Sequence, residues 1–273
     1  METSSALILE QEEKDQTLAD HLAYLCYDLD KGIGEGKSAM AGWCHIFVGE
    51  HDKLPKARRA LVAWDRLAVT CEGVAVPWPA VWAIAKKMRQ QGHEESADLV
   101  LLSADAYLRE SDWAMVAGED IIVTGNDVAI LLGVPERGEA TKTGVRQGVR
   151  PDRPCASKLW TQYKQRTPQG QKVFMVKAAA FRAHWRQACA AFENDPGPPH
   201  QLRHTGPSHD LFTKYRASKE VKNRGRWRSD TSVLRYAKAH AYLAALARIP
   251  QKVLRVAAAY EHLTDSRPDK PCT

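Results

Sequence analysis

The sequence predicts a mainly α protein with one small antiparallel sheet, built as a helical N-terminal domain and a larger C-terminal domain. Apolar residues recur every three or four positions through most of the chain, which is the period of an amphipathic helix. Runs of β-branched residues flank a Thr-Gly-Asn-Asp turn in IIVTGNDVAI and indicate a hairpin. A stretch interrupted by glycine and proline, CEGVAVPWPA, divides the two helical regions.

The composition is that of a globular protein. The chain has 273 residues, of which 44% are hydrophobic and 26% are charged. No apolar run approaches the roughly 18 residues that a membrane span requires, so no membrane partner is predicted. The acidic start, METSSALILEQEEKDQ, lacks the features of a secretory signal. We expect an intracellular protein, in the nucleus if the source is eukaryotic and otherwise in the cytoplasm or nucleoid.

The cysteines point to neither disulfides nor zinc. They are far apart and form no Cys-x-x-Cys pair, whereas zinc sites usually have close ligand pairs. The sequence also has no Walker-type loop and no acidic metal cluster, so no metal and no cofactor is predicted. The six cysteines are Cys26, Cys44, Cys71, Cys155, Cys189 and Cys272.

The N-terminal domain is predicted as three helices over residues 17–72, after a polar, acidic stretch at residues 1–16 that is predicted as a mobile tail. The helices cover LADHLAYLCYDL, KSAMAGWCHIFVGEH and LPKARRALVAWDRLAV, with KGIGEG as a break after the first. Pro55 suits the first turn of the third helix. Basic residues in this region face either a phosphate backbone or solvent: Lys53, Lys56, Arg58, Arg59 and Arg66.

The C-terminal domain is predicted over residues 81–263, after a linker at residues 73–80. It begins with helices in AVWAIAKKMRQQG and HEESADLVLLSADAYLRESDWAMV, of which the second is apolar on most faces and should be central. The hairpin follows, and PERGEATKTGVRQGVR extends it by a strand with TKTG at a turn. Helices are predicted again in VFMVKAAAFRAHWRQACAAF and AKAHAYLAALARIPQKVLRVAAAYEHL, before a disordered tail at residues 264–273.

One segment, residues 200–236, concentrates the surplus positive charge. It contains nine Lys and Arg against three Asp and Glu, so its balance of +6 equals that of the whole chain. Charge confined to one segment is typical of a surface that binds a polyanion such as double-stranded DNA. The basic residues predicted to contact DNA phosphates are Lys214, Lys219, Lys222, Arg224, Arg226 and Arg228.

The same segment carries residues suited to phosphate chemistry. His200 and Arg203 lie three positions apart, hence on one face of a helix. A guanidinium holds two phosphate oxygens, and an imidazole can donate to a third or move a proton. The phenolic oxygen of Tyr236 can attack phosphorus if positive surroundings offset its pKa of about 10.

These residues resemble the C-terminal signature of the tyrosine recombinases, the phage-integrase family. HQLRHTG gives the His-x-x-Arg box, and GRWRSDTSVLRY places Trp227 nine residues before Tyr236. Trp227 stands where many bacterial members have His, and GRWRSDTSVLRYAK most resembles recombinases of eukaryotic mobile elements. Two earlier boxes also match in order: Arg109 in SADAYLRESDW, with Asp112 where Glu is commoner, and Lys142 in EATKTGVRQG.

The resemblance covers roughly residues 75–240 and implies a helical core-binding domain plus a tyrosine-recombinase catalytic domain. It implies that Arg109 and Arg203 hold the scissile phosphate, assisted by His200 and Trp227. Lys142 would protonate the departing 5′ oxygen and Tyr236 would form a 3′-phosphotyrosine link, without metal or nucleotide. It also implies a tetramer on two DNA sites, in which a C-terminal helix such as QKVLRVAAAYEHL passes to a neighbour; that helix could equally pack on its own domain.

Other interpretations of the sequence remain open. Taken singly, each of the six residues suits an ion pair, a solvated turn or a core aromatic, and Tyr215 and Tyr242 are rival nucleophiles. His204 and His209 are interpreted as accessory or structural. The alternative functions are a DNA-binding protein derived from a recombinase without catalysis, and relaxation of DNA by a type IB topoisomerase-like reaction.

Overall fold

The computed structural model describes residues 2–49, 51–68, 73–192 and 196–264, in two compact units, Met1–Cys71 and Glu72–Thr273. Within these described ranges no helix is long and apolar enough to cross a membrane, and no group of three or more His, Cys, Asp or Glu could hold a metal ion. The predicted disordered tail falls, except for its first residue, outside the described residues.

The N-terminal unit contains α1 (Glu2–Ala23), which continues as a π-helical turn (Tyr24–Asp28), α2 (Ile33–Ile46) and α3 (Pro55–Leu67), with a 3-10 turn (His51–Lys53) before α3. Pro55 opens α3 as predicted. Apolar side chains from α1 and α3 form its core, namely Leu18, Leu22, Leu54, Ala57 and Trp64.

Residues 2–16, which the sequence predicts as a mobile tail, form the first part of α1 in this structure. Asp15 is buried, and its carboxylate accepts the backbone N–H groups of Lys56 and Ala57, both at 2.9 Å. These are free donors of the first turn of α3, so a carboxylate from α1 caps another helix. The predicted break at KGIGEG is also shorter than expected, because α2 already begins at Ile33. Gly36 lies inside α2, at a position where a Cβ would overlap the Trp64 ring.

The larger unit contains ten helices and a three-stranded antiparallel sheet among its described residues. The helices are α4 (Trp78–Gln90), α5 (Glu94–Ala106), α6 (Glu110–Met115), α7 (Pro154–Arg166), α8 (Ala178–Ala190), α9 (Leu202–Phe212), α10 (Ser218–Gly225), α11 (Asp230–Leu234), α12 (Ala239–Ala247) and α13 (Gln251–Thr264). The strands, in the order β1-β2-β3, are β1 (Ile121–Thr124), β2 (Asp127–Leu132) and β3 (Gln147–Val149).

The sheet follows the prediction. Thr124 pairs with Asp127, so Gly125 and Asn126 form the turn of the hairpin, and Gly125 has the positive φ (59°) that such turns require. The predicted third strand is β3, and Lys142 and Thr143 lie in a tight turn between Thr141 and Gly144, which exchange backbone hydrogen bonds of 2.9 and 3.2 Å.

Helix α5 is central, as predicted, because every residue from Ser96 to Ala106 is buried. The predicted helix is interrupted, however, at Tyr107, whose backbone is left-handed with φ 52°, and α6 starts as a separate helix after Arg109. The predicted linker at residues 73–80 also differs from the structure. Pro77 and Pro79 begin α4 instead of interrupting the chain, and Val76 and Trp78 are buried in the core.

Helix α13 packs on its own unit, which was one of the two predicted arrangements. Val253 and Ala257 are buried in the core. The hydroxyl of Tyr260 accepts a 2.6 Å hydrogen bond from Arg89 Nε on α4, and its ring packs edge-on against Trp82 at 5.8 Å. In this structure the helix therefore completes the core of the unit that carries it.

Candidate active site

The site begins at the end of α5, where the left-handed Tyr107 exposes its carbonyl oxygen. That oxygen accepts hydrogen bonds from Arg203 Nη1 and, at 3.3 Å, from Arg226 Nη2. A non-glycine residue in this conformation costs on the order of 1–3 kcal/mol, so the surroundings must hold it. The Tyr107 hydroxyl donates to Asp210 Oδ2 at 2.5 Å, and the ring stacks on Trp227 at 6.2 Å. Sequence reasoning missed Tyr107, since a tyrosine ending an apolar helix looks like any core residue.

A fully buried carboxylate, Asp112, lies among three arginines. Its Oδ2 accepts the backbone N–H of Arg109 at 2.9 Å and Arg226 Nη2 at 2.7 Å, and Arg203 Nη1 lies 3.8 Å from the same oxygen. Arg109 Nη1 is 3.9 Å from the other oxygen, Oδ1. Three guanidiniums and one carboxylate leave a surplus of two positive charges in a buried place, which favours binding of an anion.

Arg203 is the most buried of these cations at 3% exposure. Besides the Tyr107 carbonyl, it donates through Nη2 to the Gly225 carbonyl at 2.8 Å, and its guanidinium lies 5.1 Å from the Trp227 ring centroid. Burial and the neighbouring charges of Arg109 and Arg226 lower the pKa of Arg203 to about 9. The group therefore remains a cation at neutral pH, at the centre of the predicted site.

A continuous series of ring contacts contains Trp227, Tyr236, His204 and His200. Tyr236 follows α11 and lies 4.6 Å from Trp227 and 5.0 Å from His204, measured between ring centroids. His204 in turn lies 5.6 Å from His200, which belongs to a 3-10 turn (Pro199–Gln201) just before α9. His204, interpreted from sequence as accessory or structural, thus stands between the predicted histidine and the predicted nucleophile.

Burial and the nearby arginines shift the pKa values of both Tyr236 and His200. Burial raises the pKa of Tyr236, while the positive charges of Arg203, Arg235 and Arg109 act in the opposite direction. Partial burial and the charges on Arg203 and Arg109 lower the pKa of His200. The surroundings therefore favour the neutral form of the His200 imidazole.

Lys142 reaches the site from the sheet. Its side chain is exposed in the turn before β3, and its charge is among those that lower the pKa of His200. The next carbonyl, that of Thr143, accepts a hydrogen bond from Arg228 Nη2 at 3.4 Å, which ties the turn to the segment after Trp227. The structure therefore brings all six predicted catalytic residues to one region of the larger unit.

Comparison with solved structures identifies the fold of the chain. No family model and no curated protein matches the sequence. Among solved structures, the XerH site-specific recombinase, bound to palindromic difH substrate in a post-cleavage complex, is similar over 90% of this chain and 72% of that one, with 11% identity and a TM-score of 0.55. The chain has the tyrosine-recombinase fold. The predicted resemblance and fold class are therefore confirmed.

Two further solved structures with the tyrosine-recombinase fold are similar to this chain. The XerA recombinase has 12% identity and a TM-score of 0.47, covering 93% of this chain and 83% of that one. The Tn1549 transposon integrase in complex with transposon right end DNA has 13% identity and a TM-score of 0.48, covering 80% and 85%.

Within the tyrosine-recombinase fold, the rival tyrosines have other surroundings. Tyr242 is buried on α12, packs on Phe212 and shares a 3.0 Å hydrogen bond with His209 Nδ1. Its burial raises its pKa to about 12. Tyr215 lies under the guanidinium of Arg216 at 4.9 Å. Neither set of contacts includes the Asp112 arginines, so the geometry favours Tyr236.

The residues predicted to contact DNA divide into two groups. Lys214, Lys219 and Arg228 are exposed, and Lys222 is partly exposed with an ion pair to Asp230 at 2.8 Å. These four positions are compatible with contacts to phosphate.

Arg224 and Arg226 do not fit that role, because both guanidiniums point into the unit. Arg224 donates to the carbonyls of Arg150 and Asp105, both at 2.8 Å, and forms a 2.9 Å ion pair with Asp152. The reason is the packing of α10, whose buried face contains Val221 and Gly225 beside Arg224. Gly225 is required there, because a Cβ would overlap the Trp227 ring that folds back over the helix end.

Proposed function

We propose that the protein is a tyrosine recombinase that cleaves and rejoins DNA strands through a covalent 3′-phosphotyrosine intermediate. The observation that carries the proposal is the position of Tyr236 beside the buried arginines of Asp112: its ring lies 4.6 Å from that of Trp227, on which the Arg203 guanidinium also packs. A phosphate diester held by Arg203 and Arg109 would lie beside the phenolic oxygen. Trp227, in contact with both Arg203 and Tyr236, would form the wall of this site.

In the cleavage step, the phenolic oxygen of Tyr236 attacks the phosphorus and the bond to the 5′ oxygen breaks. The phenolic proton leaves through the adjacent imidazoles, from Tyr236 to His204 and on to His200, which is exposed to solvent. The guanidiniums of Arg109 and Arg203 stabilise the charge that develops on the non-bridging oxygens. The departing 5′ oxygen takes a proton from Lys142, so that a neutral hydroxyl leaves.

In the joining step, a 5′ hydroxyl attacks the phosphotyrosyl bond and releases Tyr236. One phosphodiester bond is lost and one is gained, so neither ATP nor a metal ion is needed to conserve the energy of the bond. The partner that we propose is double-stranded DNA, which is supported by the XerH recombinase, bound to palindromic difH substrate. Recombination requires two DNA sites, for which we propose a homotetramer.

The first experiment is covalent trapping. The full chain is incubated with a pool of nicked duplexes, denatured in detergent, and examined for a protein band that carries DNA. We expect an adduct with the wild type and with Tyr242→Phe, and none with Tyr236→Phe, because only the Tyr236 oxygen lies next to the arginine cluster.

The other outcomes distinguish the alternatives. An adduct lost only in Tyr242→Phe would keep the reaction class and move the nucleophile. Salt-sensitive binding of DNA without an adduct, on a pool that includes the cognate site, would favour a non-catalytic DNA-binding protein. Relaxation of a supercoiled plasmid without a defined site would favour a topoisomerase-like reaction.

A further inference from the structure

Arg226 is a buried cation at a backbone position that is unusual for a side chain. Its φ of 58° lies in the left-handed region that favours glycine. The residue is 8% exposed, and its Nε and Nη1 are buried without a hydrogen-bond partner. Burial lowers the pKa of Arg226 to about 10, which still leaves a positive charge at neutral pH.

The contacts of Arg226 centre on Asp112. Its Nη2 lies 2.7 Å from Asp112 Oδ2, whereas Arg203 Nη1 lies 3.8 Å from that oxygen and Arg109 Nη1 lies 3.9 Å from the other. Arg226 is therefore the principal ion-pair partner of the carboxylate. The two arginines assigned to the phosphate are held close to it but outside hydrogen-bond distance.

The choice of partner decides how much charge is available to an anion. Asp112 is fully buried, and a buried carboxylate needs a cation beside it. If a neutral residue replaced Arg226, the Asp112 carboxylate would pair with Arg203 or Arg109 instead. One of these guanidiniums would then be neutralised and turned toward Asp112, in a buried region where such pairs are strong.

We propose that Arg226 is a positioning residue that neutralises Asp112 and thereby keeps the charges of Arg109 and Arg203 directed at the scissile phosphate. The identity of that anion rests on the proposed function. The assignment replaces the predicted DNA contact of Arg226, since its guanidinium faces the buried carboxylate.

The test uses Arg226→Gly, Arg226→Lys and the double variant Arg226→Gly/Asp112→Asn in the full chain. Glycine suits the left-handed backbone, so the first variant removes the charge without adding strain. We expect the rate of adduct formation at saturating nicked duplex to fall at least tenfold, with the Kd for DNA changed less than twofold. Arg226→Lys should recover most of the rate because it keeps the charge.

The double variant separates charge balance from structure. Asparagine can still accept the Arg109 N–H but no longer competes for a guanidinium, so adding Asp112→Asn should restore the rate at least fivefold over Arg226→Gly. A merely structural role predicts that the double variant is no faster than Arg226→Gly. The matched control is Arg146→Gly, which removes another left-handed arginine (φ 51°), exposed and paired with Glu136, and should stay within twofold of the wild type.

Inorganic phosphate tests the same charge balance without DNA chemistry. Phosphate should raise the Tm of the wild type and of Arg146→Gly by similar amounts. The increase should be smaller in Arg226→Gly and larger in the double variant than in Arg226→Gly. This pattern without any wild-type adduct would sink the proposed reaction but uphold the role of Arg226. Equal phosphate responses in the wild type and Arg226→Gly, or a double variant no better than the single, would overturn the assignment.

Discussion

A single glycine lets α9, which carries Arg203, lie close to the end of α5. Gly206 on α9 faces the end of α5, where a Cβ would overlap the Tyr107 ring and the Ala104 carbonyl oxygen. The absence of a side chain lets Arg203, one turn earlier on α9, reach the Tyr107 carbonyl. Packing at this one position therefore determines the geometry of the guanidinium.

Gly206→Ala should lower the free energy of unfolding by about 1–3 kcal/mol and reduce adduct formation, because the added methyl forces α9 away from α5. Urea denaturation and the trapping assay measure the two effects. Gly42→Ala is the matched control, since Gly42 lies in α2 with open space around it and should be neutral or stabilising by up to ~1 kcal/mol. Wild-type stability in Gly206→Ala would contradict this account of the contact.

At the level of elements, the last described helix belongs to the core of the larger unit. Helix α13 buries Val253 and Ala257 against α4, and the Arg89–Tyr260 hydrogen bond joins the polar side of the same contact. Removing the chain from Gln251 onward would therefore expose part of the core. We expect such a deletion to lower stability as well as to prevent any assembly that uses this helix.

Val253→Ala should destabilise the larger unit by about 2 kcal/mol, because it removes two buried methyl groups and leaves a cavity. The measurement is chemical denaturation, read out by tryptophan fluorescence. Gln251→Ala changes an exposed residue at the start of the same helix and should stay within about 0.5 kcal/mol of the wild type. If both variants behaved alike, α13 would not be packed as described.

At the scale of the whole molecule, the surplus charge has two separate uses. The chain carries a net charge of +6. Arg203, Arg224 and Arg226 lie inside the larger unit, where they hold helices and loops together or form the arginine cluster. Exposed cations such as Lys214 and Lys219 are the ones accessible to a phosphate backbone.

The salt dependence of DNA binding should be determined by the exposed cations. Each phosphate contact contributes about 0.9 to the slope of log K against log salt, so Lys214→Gln/Lys219→Gln should make that slope shallower by about 2. The control Arg146→Gln/Lys172→Gln removes the same charge from two residues that are paired with Glu136 and Glu139, and should leave the slope nearly unchanged. Fluorescence anisotropy at several salt concentrations measures both. Equal slopes in the two double variants would show that only net charge matters.

Local patterns in the sequence predicted the hairpin and many of the helices, but not α7 or the first part of α1. They singled out His200, Arg203 and Tyr236, and the family resemblance added Arg109, Lys142 and Trp227. Apolar periodicity and turn residues depend on neighbours a few positions apart, so they can be found without a structure. The spacing of His200 from Arg203 and of Trp227 from Tyr236 is of the same kind, and the structure brings these residues together.

What only the tertiary structure decided depends on contacts between distant parts of the chain. Arg203 and the Tyr107 carbonyl are 96 residues apart, and Arg226 and Asp112 are 114 apart. No local pattern distinguishes an arginine that reaches such a partner from one that faces solvent, which is why Arg224 and Arg226 were predicted to contact DNA. The same holds for Asp15, which lies in the predicted tail and accepts hydrogen bonds from the first turn of α3. Burial and charge balance emerge when helices pack, because only packing removes water and chooses the partner of each charge.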